Sequence, residues 1–394
     1  MRNNGFVLKD CGGIPDRLLY TLAVIAGVSV ANLYYNQPLL EMLRADLHTS
    51  SLQANHIALF AQIGYALGLL FIIPLGDLFS RKRIILVNFS IITVSQLCIA
   101  LASNIRIVQL FSFITGICAV IPHLFIPFAA QYSRLERKDR NVGIVLSGLL
   151  TGILGSRVVS GAVGDMLGWR EMYFIAAGMM TVAIFVVWRV VPNATPNFTG
   201  SYGQLMGSLV TFFCKYSMLR LHSVRAALAF GSFMCFWASL AFKMAQAPFY
   251  AGSDVVGFLG LCGIAGALTA SVAGKYIRTV GVRRFNYFGT ILQMLAWVSF
   301  FAGSGYYATI VLGIILIDIG MQSIQLSNQA PLFDISPSAS SRINTIFMSI
   351  YFAGGALGTF LSGWAWTMWG WSGVSACGIL LAFAAFMVTA CCRE

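Results

Sequence analysis

Three charged residues stand inside long apolar runs of the sequence, at Arg157, Lys243 and Asp318. A charge at the centre of a bilayer costs at least about 2.5–3.5 kcal/mol, so each side chain is expected to face protein or a water-filled cavity. Asp318 is the carboxylate of the three, and a carboxylate inside a membrane can take up and release a proton. The sequence therefore predicts Asp318 as the proton-coupling residue, with Arg157 and Lys243 as its buried charge partners.

Two cations and one acid leave an excess of positive charge in the apolar interior. The spare cation could neutralise an anionic solute, or it could respond to protonation of Asp318. A purely structural ion pair is the alternative, because removing one partner of a buried pair leaves an uncompensated charge.

Glutamines follow Asp318 at helical spacing. Gln322, Gln325 and Gln329 come four, seven and eleven positions later, so all four side chains share one face of a helix. This face is interpreted as the polar wall of a solute cavity.

Further polar residues lie in other apolar runs. Asn32, Tyr35 and Asn36 share a helix face in the first run, where they could line the cavity or form hydrogen bonds between helices. His123, flanked by prolines, could relay protons or serve as a hydrogen-bonded packing residue. Gln246 follows the buried lysine of the seventh run by three positions.

Apolar helices must position these side chains. Of the 394 residues, 58% are hydrophobic and only 10% are charged, whereas a soluble domain averages about 25% charged residues. Each membrane-spanning helix needs about 20 apolar residues, and twelve such runs are present. They cover residues 18–40, 52–75, 83–103, 107–132, 141–164, 170–191, 226–249, 254–274, 284–303, 307–331, 343–366 and 371–391. The predicted fold class is an all-α membrane protein of twelve transmembrane helices.

Positive charges are distributed unevenly over the loops that join these runs. Apart from Arg157 and Lys243, 23 lysines and arginines lie in the loops or at the ends of the runs, and the two sides of the membrane divide them 20 to 3, the three being Arg44, Arg106 and Arg170. Because cytoplasmic loops carry the excess of Lys and Arg, both termini are predicted to be cytoplasmic. No cleavable signal peptide is expected, since acidic residues interrupt the N-terminus before the first apolar run. The net charge of +12 is thus interpreted as an orientation signal rather than as a nucleic-acid surface.

The two halves of the chain repeat at an offset of 202 residues. The matching positions are Gly64 with Gly266, Gly152 with Gly354, Gly161 with Gly363, and Gly168-Trp169 with Gly370-Trp371. An even number of runs separates the copies, which predicts two six-helix bundles related by an axis along the membrane normal. A solute path is then expected where the bundles meet.

No reactive cluster of the kind that soluble enzymes use is present in the sequence. The four histidines are scattered, and neither HExxH, G-x-S-x-G nor a P-loop occurs. A membrane enzyme or a non-transporting sensor is therefore a weaker alternative than a transporter. No cofactor and no metal site are expected.

The loop between the second and third runs resembles a motif of the major facilitator superfamily, G-x-L-x-D-R-x-G-R-[RK]. Leu75, Asp77, Arg81 and Lys82 fit this pattern. The resemblance implies that Asp77, Arg81 and Lys82 form a cytoplasmic gating hairpin, which steadies the outward-facing state. It also implies that the seventh and tenth helices face a central cavity, which makes Lys243 and Asp318 the expected pair.

The fifth run resembles the antiporter motif of that superfamily, with Arg157 in place of its proline. Gly143, Gly152 and Gly161 match its glycines, and Ser156 and Ser160 stand at its other two glycine positions. Together with Tyr35-Asn36-Gln37-Pro38 and Asn328-Gln329, the pattern is similar to bacterial drug and metabolite efflux permeases related to nucleoside and arabinose exporters. The candidates for the solute cavity are Asn32, Tyr35, Asn36, Gln37, His123, Gln246, Gln322, Gln325 and Gln329.

The sequence thus predicts a secondary transporter that moves a small organic solute across the bacterial inner membrane, by proton-coupled efflux. An importer or a uniporter of the same fold is the alternative within transport. The expected domains are an N-terminal six-helix bundle (1–191), a cytoplasmic linker with an interfacial helix (192–225) and a C-terminal six-helix bundle (226–394). The expected partners are the solute, protons and the lipid bilayer, with a monomer as the working unit and no nucleic acid.

Overall fold

The computed structural model describes residues 11–192, 200–336 and 339–392, without the side chains of 270–275 and 278. Within these ranges the regular structure is entirely helical. The helices before residue 193 are α1 (Asp16–Tyr34), α2 (Asn36–Asp46), α3 (Ser51–Phe71), α4 (Leu75–Leu78), α5 (Arg81–Ala100), α6 (Ile105–Cys118), α7 (Pro122–Tyr132), α8 (Lys138–Met166) and α9 (Trp169–Val190). Those after residue 199 are α10 (Tyr202–Lys215), α11 (Ser217–Met244), α12 (Ser253–Leu259), α13 (Ile264–Val280), α14 (Val282–Ala302), α15 (Tyr307–Gln329), α16 (Leu332–Ile335) and α17 (Ser340–Cys391). Residues 1–10, 193–199 and 393–394, which fall in the three predicted domains, lie outside the described residues.

Ten helical stretches of the described chain are long and apolar enough to cross a membrane, in agreement with an all-α membrane protein. The last of them, α17, has 52 residues, but Gly370 within it has the non-helical angles φ 57° and ψ −142°. The predicted runs 343–366 and 371–391 therefore form one helical element that bends at this glycine. The predicted run 254–274 falls on α12, a 3₁₀ turn (Gly260–Gly263) and α13. The apolar helical stretch in this region, Ser253–Thr269, is shorter than the other ten.

Local sequence signals begin several of these helices. The Ser50 side chain accepts a hydrogen bond from the backbone N–H of Gln53 at 3.2 Å, and the Gln53 side chain in turn accepts one from the Ser50 N–H. Ser201 and Gln204 form the same capping box at the start of α10. Each box satisfies backbone donors that the first helical turn leaves without partners. The loops thus end at defined residues, and packing sets which face of each helix points inward.

Close glycine contacts join α1 to α8 and α11 to α17. A Cβ added at Gly152 would lie 2.3 Å from the Cα of Gly27, and one added at Gly148 would lie 2.2 Å from the carbonyl oxygen of Ala23. The second part repeats this arrangement: Gly358 lies against Gly231, and Gly354 lies against Ala227. Only glycine allows two helix backbones to come so close.

These contacts show that the repeat predicted from the sequence is displaced by one helical turn between α8 and α17. By its neighbours, Gly354 corresponds to Gly148, whereas the sequence offset paired it with Gly152. Glycines four residues apart lie on one helix face, so the sequence alone fits both registers. Gly168 and Gly370 do occupy equivalent places, each with a positive φ before a tryptophan that continues the chain as a helix.

Two pairs of helices make most of the contact between the first and second parts. α3 packs against α17, and α8 packs against α12 and the Gly260–Gly263 turn. A Cβ added at Gly161 of α8 would lie 2.9 Å from the Cα of Gly257 in α12. α2 also touches α11 and α12, so this junction surrounds the middle of the molecule.

The predicted surface helix of the linker is present as α10. Its Tyr202 hydroxyl donates a hydrogen bond to the Phe71 carbonyl at the end of α3, at 3.1 Å. On the other side, Arg342 at the start of α17 donates to Ser208 at 3.2 Å and lies over the Phe212 ring. α10 therefore touches both parts of the chain, and α11 begins directly after it at Ser217.

Candidate functional site

Arg157 lies at the junction between the two parts and is only 2% exposed. Its Nε donates a hydrogen bond to Oε1 of Gln37 in α2, at 2.8 Å. The guanidinium lies over the Trp237 ring of α11, 3.8 Å from its centroid, and 5.4 Å from the centroid of Tyr34. The described residues offer no hydrogen-bond acceptor to Nη1 or Nη2 of this arginine. Trp237 thus covers one face of the guanidinium and Gln37 binds its Nε edge, while the edge that carries Nη1 and Nη2 is free to bind a ligand.

Asp318 lies in the middle of α15 and is 6% exposed. Its Oδ2 is buried without a hydrogen-bond partner among the described residues. A Cβ added at Gly263 would lie 3.2 Å from Oδ1, and one added at Gly266 would lie 3.1 Å from the Cβ of Asp318. The absence of side chains at these two glycines leaves room for the carboxyl group beside α13.

Arg157 is the cation that acts electrostatically on Asp318, but the two do not touch. In the parts of the chain that the structure describes, Asp318 has no lysine or arginine nitrogen within 4.0 Å. The site therefore holds a buried cation and a buried acid that face one region without forming an ion pair.

The predicted pairing of Lys243 with Asp318 is not present in the structure. Lys243 occupies the last turn of α11, where it lies 5.7 Å from the ring centroid of Phe249 and 5.9 Å from that of Trp371. The predicted seventh run continued to residue 249, but the helix ends at Met244 in a turn. Lys243 is thus near a helix C-terminus, where the helix dipole favours a cation.

The polar stripe after Asp318 lies on one face of α15, as predicted. Gln322 lies beside Gly266, since a Cβ there would be 3.2 Å from its Cγ. Gln325 accepts a hydrogen bond from the Tyr351 hydroxyl at 3.2 Å, and Gln329 donates to Asn344 at 2.7 Å. All three glutamines are partly exposed, and α17 supplies the partners of two of them.

His123 connects to the junction through a tyrosine. Its Nε2 lies 3.1 Å from the Tyr65 hydroxyl of α3, and the Tyr65 ring packs 4.3 Å from the Phe352 ring of α17. His123 is therefore hydrogen-bonded, and Tyr65 connects it to the second part.

Two predicted cavity residues lie elsewhere. Asn32 accepts a hydrogen bond from Gln96 of α5 at 2.9 Å and approaches Met180 of α9, so it joins helices within the first part. This is the hydrogen-bonding alternative that the sequence left open. Gln246 is exposed in the turn that follows α11, because that helix ends two residues earlier.

Tyr35 and Asn36 are buried at the break between α1 and α2, and Oδ1 of Asn36 has no hydrogen-bond partner among the described side chains and backbone. The sequence pattern missed the aromatic members of the site, Tyr34, Trp237 and Tyr351. Aromatic residues are frequent in all the apolar runs, so no spacing singles these three out. Their roles follow only from contacts with residues distant in the chain.

The three residues of the predicted gating hairpin lie in two different environments. Asp77, in α4, lies within electrostatic range of Arg81 and of Arg342 in α17. Arg81 is buried and donates to Gln131 at 3.0 Å. Lys82 instead donates to the Trp188 carbonyl in the last turn of α9, at 2.7 Å, so its contact is that of a helix cap.

Buried polar groups thus meet where the helices of the two parts of the chain join, inside a set of apolar spans. In membrane transporters built from two repeated parts, solutes bind at the interface between those parts. The fold and the site together define a polytopic membrane transport protein.

Comparison with known proteins identifies the family. The model of the Major Facilitator Superfamily matches residues 22–359, and the chain belongs to this superfamily. It is 33% identical over 375 residues to the uncharacterized transporter YgaY of Escherichia coli O157:H7, covering 95% of each chain. A probable sugar efflux transporter of Helicobacter pylori (strain HPAG1) is 20% identical, with 73% of each chain covered.

Solved structures agree on the fold. The crystal structure of a variant of the nucleoside transporter NupG superposes with a TM-score of 0.78 at 14% identity, covering 94% of this chain and 99% of that one.

Proposed function

We propose that this protein is a proton-coupled secondary transporter that exports a small organic solute from the bacterial cytoplasm. The observation that carries the proposal is the buried pair of unsatisfied charges, Arg157 and Asp318, at the junction between the two parts of the chain. Charges inside a membrane protein that are not fully paired are typical of substrate sites and proton relays.

The proposed architecture has twelve spans in two six-helix bundles. Ten stretches of the described chain qualify as spans by length and composition. Division of α17 at Gly370 adds an eleventh, and the broken segment 253–280 adds a twelfth. We assign 1–191 to the first bundle, 192–225 to the linker and 226–394 to the second, although α11 already starts at Ser217. Both termini then lie in the cytoplasm, and the working unit is a monomer in the inner membrane.

Asp318 is the proposed proton site. Its Oδ2 has no partner in the described chain, and Arg157 is near enough to respond to its charge. A proton on Asp318 and a bound solute would then compete for the same pair of charges, which is how an exchanger couples two flows.

Flux into proteoliposomes tests this assignment. With a pH gradient imposed, Asp318→Asn is expected to abolish the gradient-driven accumulation of solute while leaving insertion and folding intact, because the amide cannot ionise. Asp165→Asn, at the exposed end of α8, is the matched control and should retain full activity. Full gradient-driven transport by the Asp318 variant would refute the assignment.

Export is the proposed direction because relatives of this chain are named as sugar efflux transporters. An importer or a uniporter of the same fold is the second candidate. The direction of the pH gradient separates them: an exchanger accumulates solute in the vesicle lumen when protons are driven out of the lumen, a proton-coupled importer does so when protons are driven in, and a uniporter does so in neither case.

A further inference from the structure

The two buried charges lie against one short element, the 3₁₀ turn Gly260–Gly263. A Cβ added at Gly260 would lie 3.2 Å from Cδ of Arg157, and one added at Gly263 would lie 3.2 Å from Oδ1 of Asp318. A 3₁₀ helix has three residues per turn and rises about 2 Å per residue, so these two glycines face the same way about 6 Å apart. The turn therefore lies beside both the Arg157 side chain and the Asp318 carboxylate.

Each charge has an edge without a partner in the described chain, and the absence of an ion pair leaves a gap between them. Arg157 has Nη1 and Nη2 without acceptors in the described chain, because Gln37 takes only its Nε and Trp237 covers its face. Asp318 has a buried Oδ2 without a donor. Buried ionised groups are strongly destabilising unless they find charged or hydrogen-bonding partners. A ligand that supplies an anion at one end and a cation at the other satisfies both.

The geometry points to a zwitterionic solute of the α-amino acid class. Its carboxylate would accept hydrogen bonds from the free edge of Arg157, and its ammonium group would donate to Asp318. In such a molecule the ammonium nitrogen and the nearer carboxylate oxygen are about 3 Å apart. A molecule of this length, with a hydrogen bond of about 3 Å at each end, can bridge two groups that lie beside glycines about 6 Å apart. This inference rests on the proposed transport function and names its substrate class.

Solutes of other charge types leave the site incompletely satisfied. A simple anion would pair with Arg157 and leave Asp318 without a donor, and a simple cation would do the reverse. A zwitterion also keeps the net charge of the buried site unchanged on binding, which avoids the large cost of adding a lone charge to an apolar interior. The aromatic rings of Tyr34, Trp237 and Tyr351 leave an apolar surrounding for the amino-acid side chain.

The test measures binding to the purified full-length protein in detergent. The probes are the 20 common L-amino acids, screened by their effect on thermal stability. At least one is expected to stabilise the protein. Its carboxamide lacks the carboxylate and its N-acetyl derivative lacks the ammonium group, so each should bind at least about tenfold more weakly. No stabilisation by any of the twenty, or equal binding by either derivative, would overturn the inference.

Variants assign each end of the ligand to its residue. Arg157→Gln should weaken binding of the amino acid at least about tenfold but leave the carboxamide unchanged, because that derivative has no carboxylate to lose. Asp318→Asn should in the same way leave the N-acetyl derivative unchanged. Lys243→Met removes a buried cation outside the gap and should leave every affinity as it was. If either site variant weakened binding of the amino acid and of the corresponding derivative equally, the assignment of each end of the ligand to its residue would be wrong.

The binding assay also separates this inference from the proposed function. Flux of a sugar or a nucleoside without any amino-acid binding would leave the transport proposal standing and end the zwitterion proposal. Amino-acid binding by a protein that transports nothing in proteoliposomes would support the zwitterion proposal and end the transport proposal.

Discussion

At the scale of single residues, Arg157 is held by both parts of the chain at once. Gln37 fixes its Nε from the first part, and Trp237 covers its face from the second. Arginine suits this place because its planar cation can stack and still donate hydrogen bonds along its edges. The stacking of Arg157 on Trp237 therefore orients the free Nη1 and Nη2 edge of the guanidinium, to which we assign the solute.

The contribution of the stack can be measured at Trp237. Trp237→Leu should lower the thermal stability of the purified protein by the equivalent of about 2 kcal/mol or more, because a desolvated cation–π contact is lost. Trp237→Phe keeps a ring under the guanidinium and should lose clearly less. The phenylalanine variant gives up no hydrogen bond, since Nε1 of Trp237 has no partner in the described chain. Equal losses in the two variants would mean that side-chain volume, and not the ring face, supports Arg157.

At the scale of helices, close backbone contact organises each part of the molecule. α1 and α8 touch through Gly27 and Gly152, and α11 and α17 touch through Gly231 and Gly358. α8 carries Arg157 five residues after Gly152, so this contact also fixes the height of the charged site relative to α1 and α2. Packing and function are therefore linked along a single helix.

Two glycines of α8 provide a matched test. Gly152→Ala places a methyl group 2.3 Å from the Cα of Gly27, and because backbone cannot move aside cheaply, a destabilisation of about 1–3 kcal/mol is expected. Gly155→Ala meets no atom within 4 Å and should be neutral, or stabilising by up to about 1 kcal/mol through helix propensity. Thermal unfolding of both variants in detergent decides the matter. Similar melting temperatures would contradict the role given to the Gly27–Gly152 contact.

At the scale of the whole molecule, the distribution of positive charge predicts the orientation in the membrane. The division of lysines and arginines, 20 to 3 between alternate loops, predicts that both termini lie in the cytoplasm. A reporter enzyme that is active only outside the cytoplasm, fused to the C-terminus, should therefore stay inactive. The same reporter fused after residue 104, between α5 and α6, should be active and serves as the positive control. An active C-terminal fusion would refute the orientation and the even number of spans.

The fold was largely predictable because a bilayer demands long apolar helices, and such runs are visible in a single sequence. The candidate site was predictable only in part. A charge inside an apolar run marks Arg157 and Asp318, and regular spacing marks the glutamines that follow Asp318. Their partners come from distant parts of the chain: Arg157 meets Trp237 80 residues later, and no local pattern indicates that contact. The end of α11 was also missed, which misplaced Lys243 and Gln246.

The contact between Gly161 and Gly257 has a consequence for how quickly the molecule can change state. Where α8 meets α12, backbone lies against backbone, and at this point no side chain of one helix is inserted between side chains of the other. Separation of the helices at these glycines moves no interlocked side chain past another, although it breaks the hydrogen bond that Ser253 Oγ donates to the Gly161 carbonyl at 2.9 Å, so we expect the two surfaces to part quickly. The same closeness makes the contact sensitive to size, because a single methyl group at either position would meet the backbone of the other helix and hold the two helices apart.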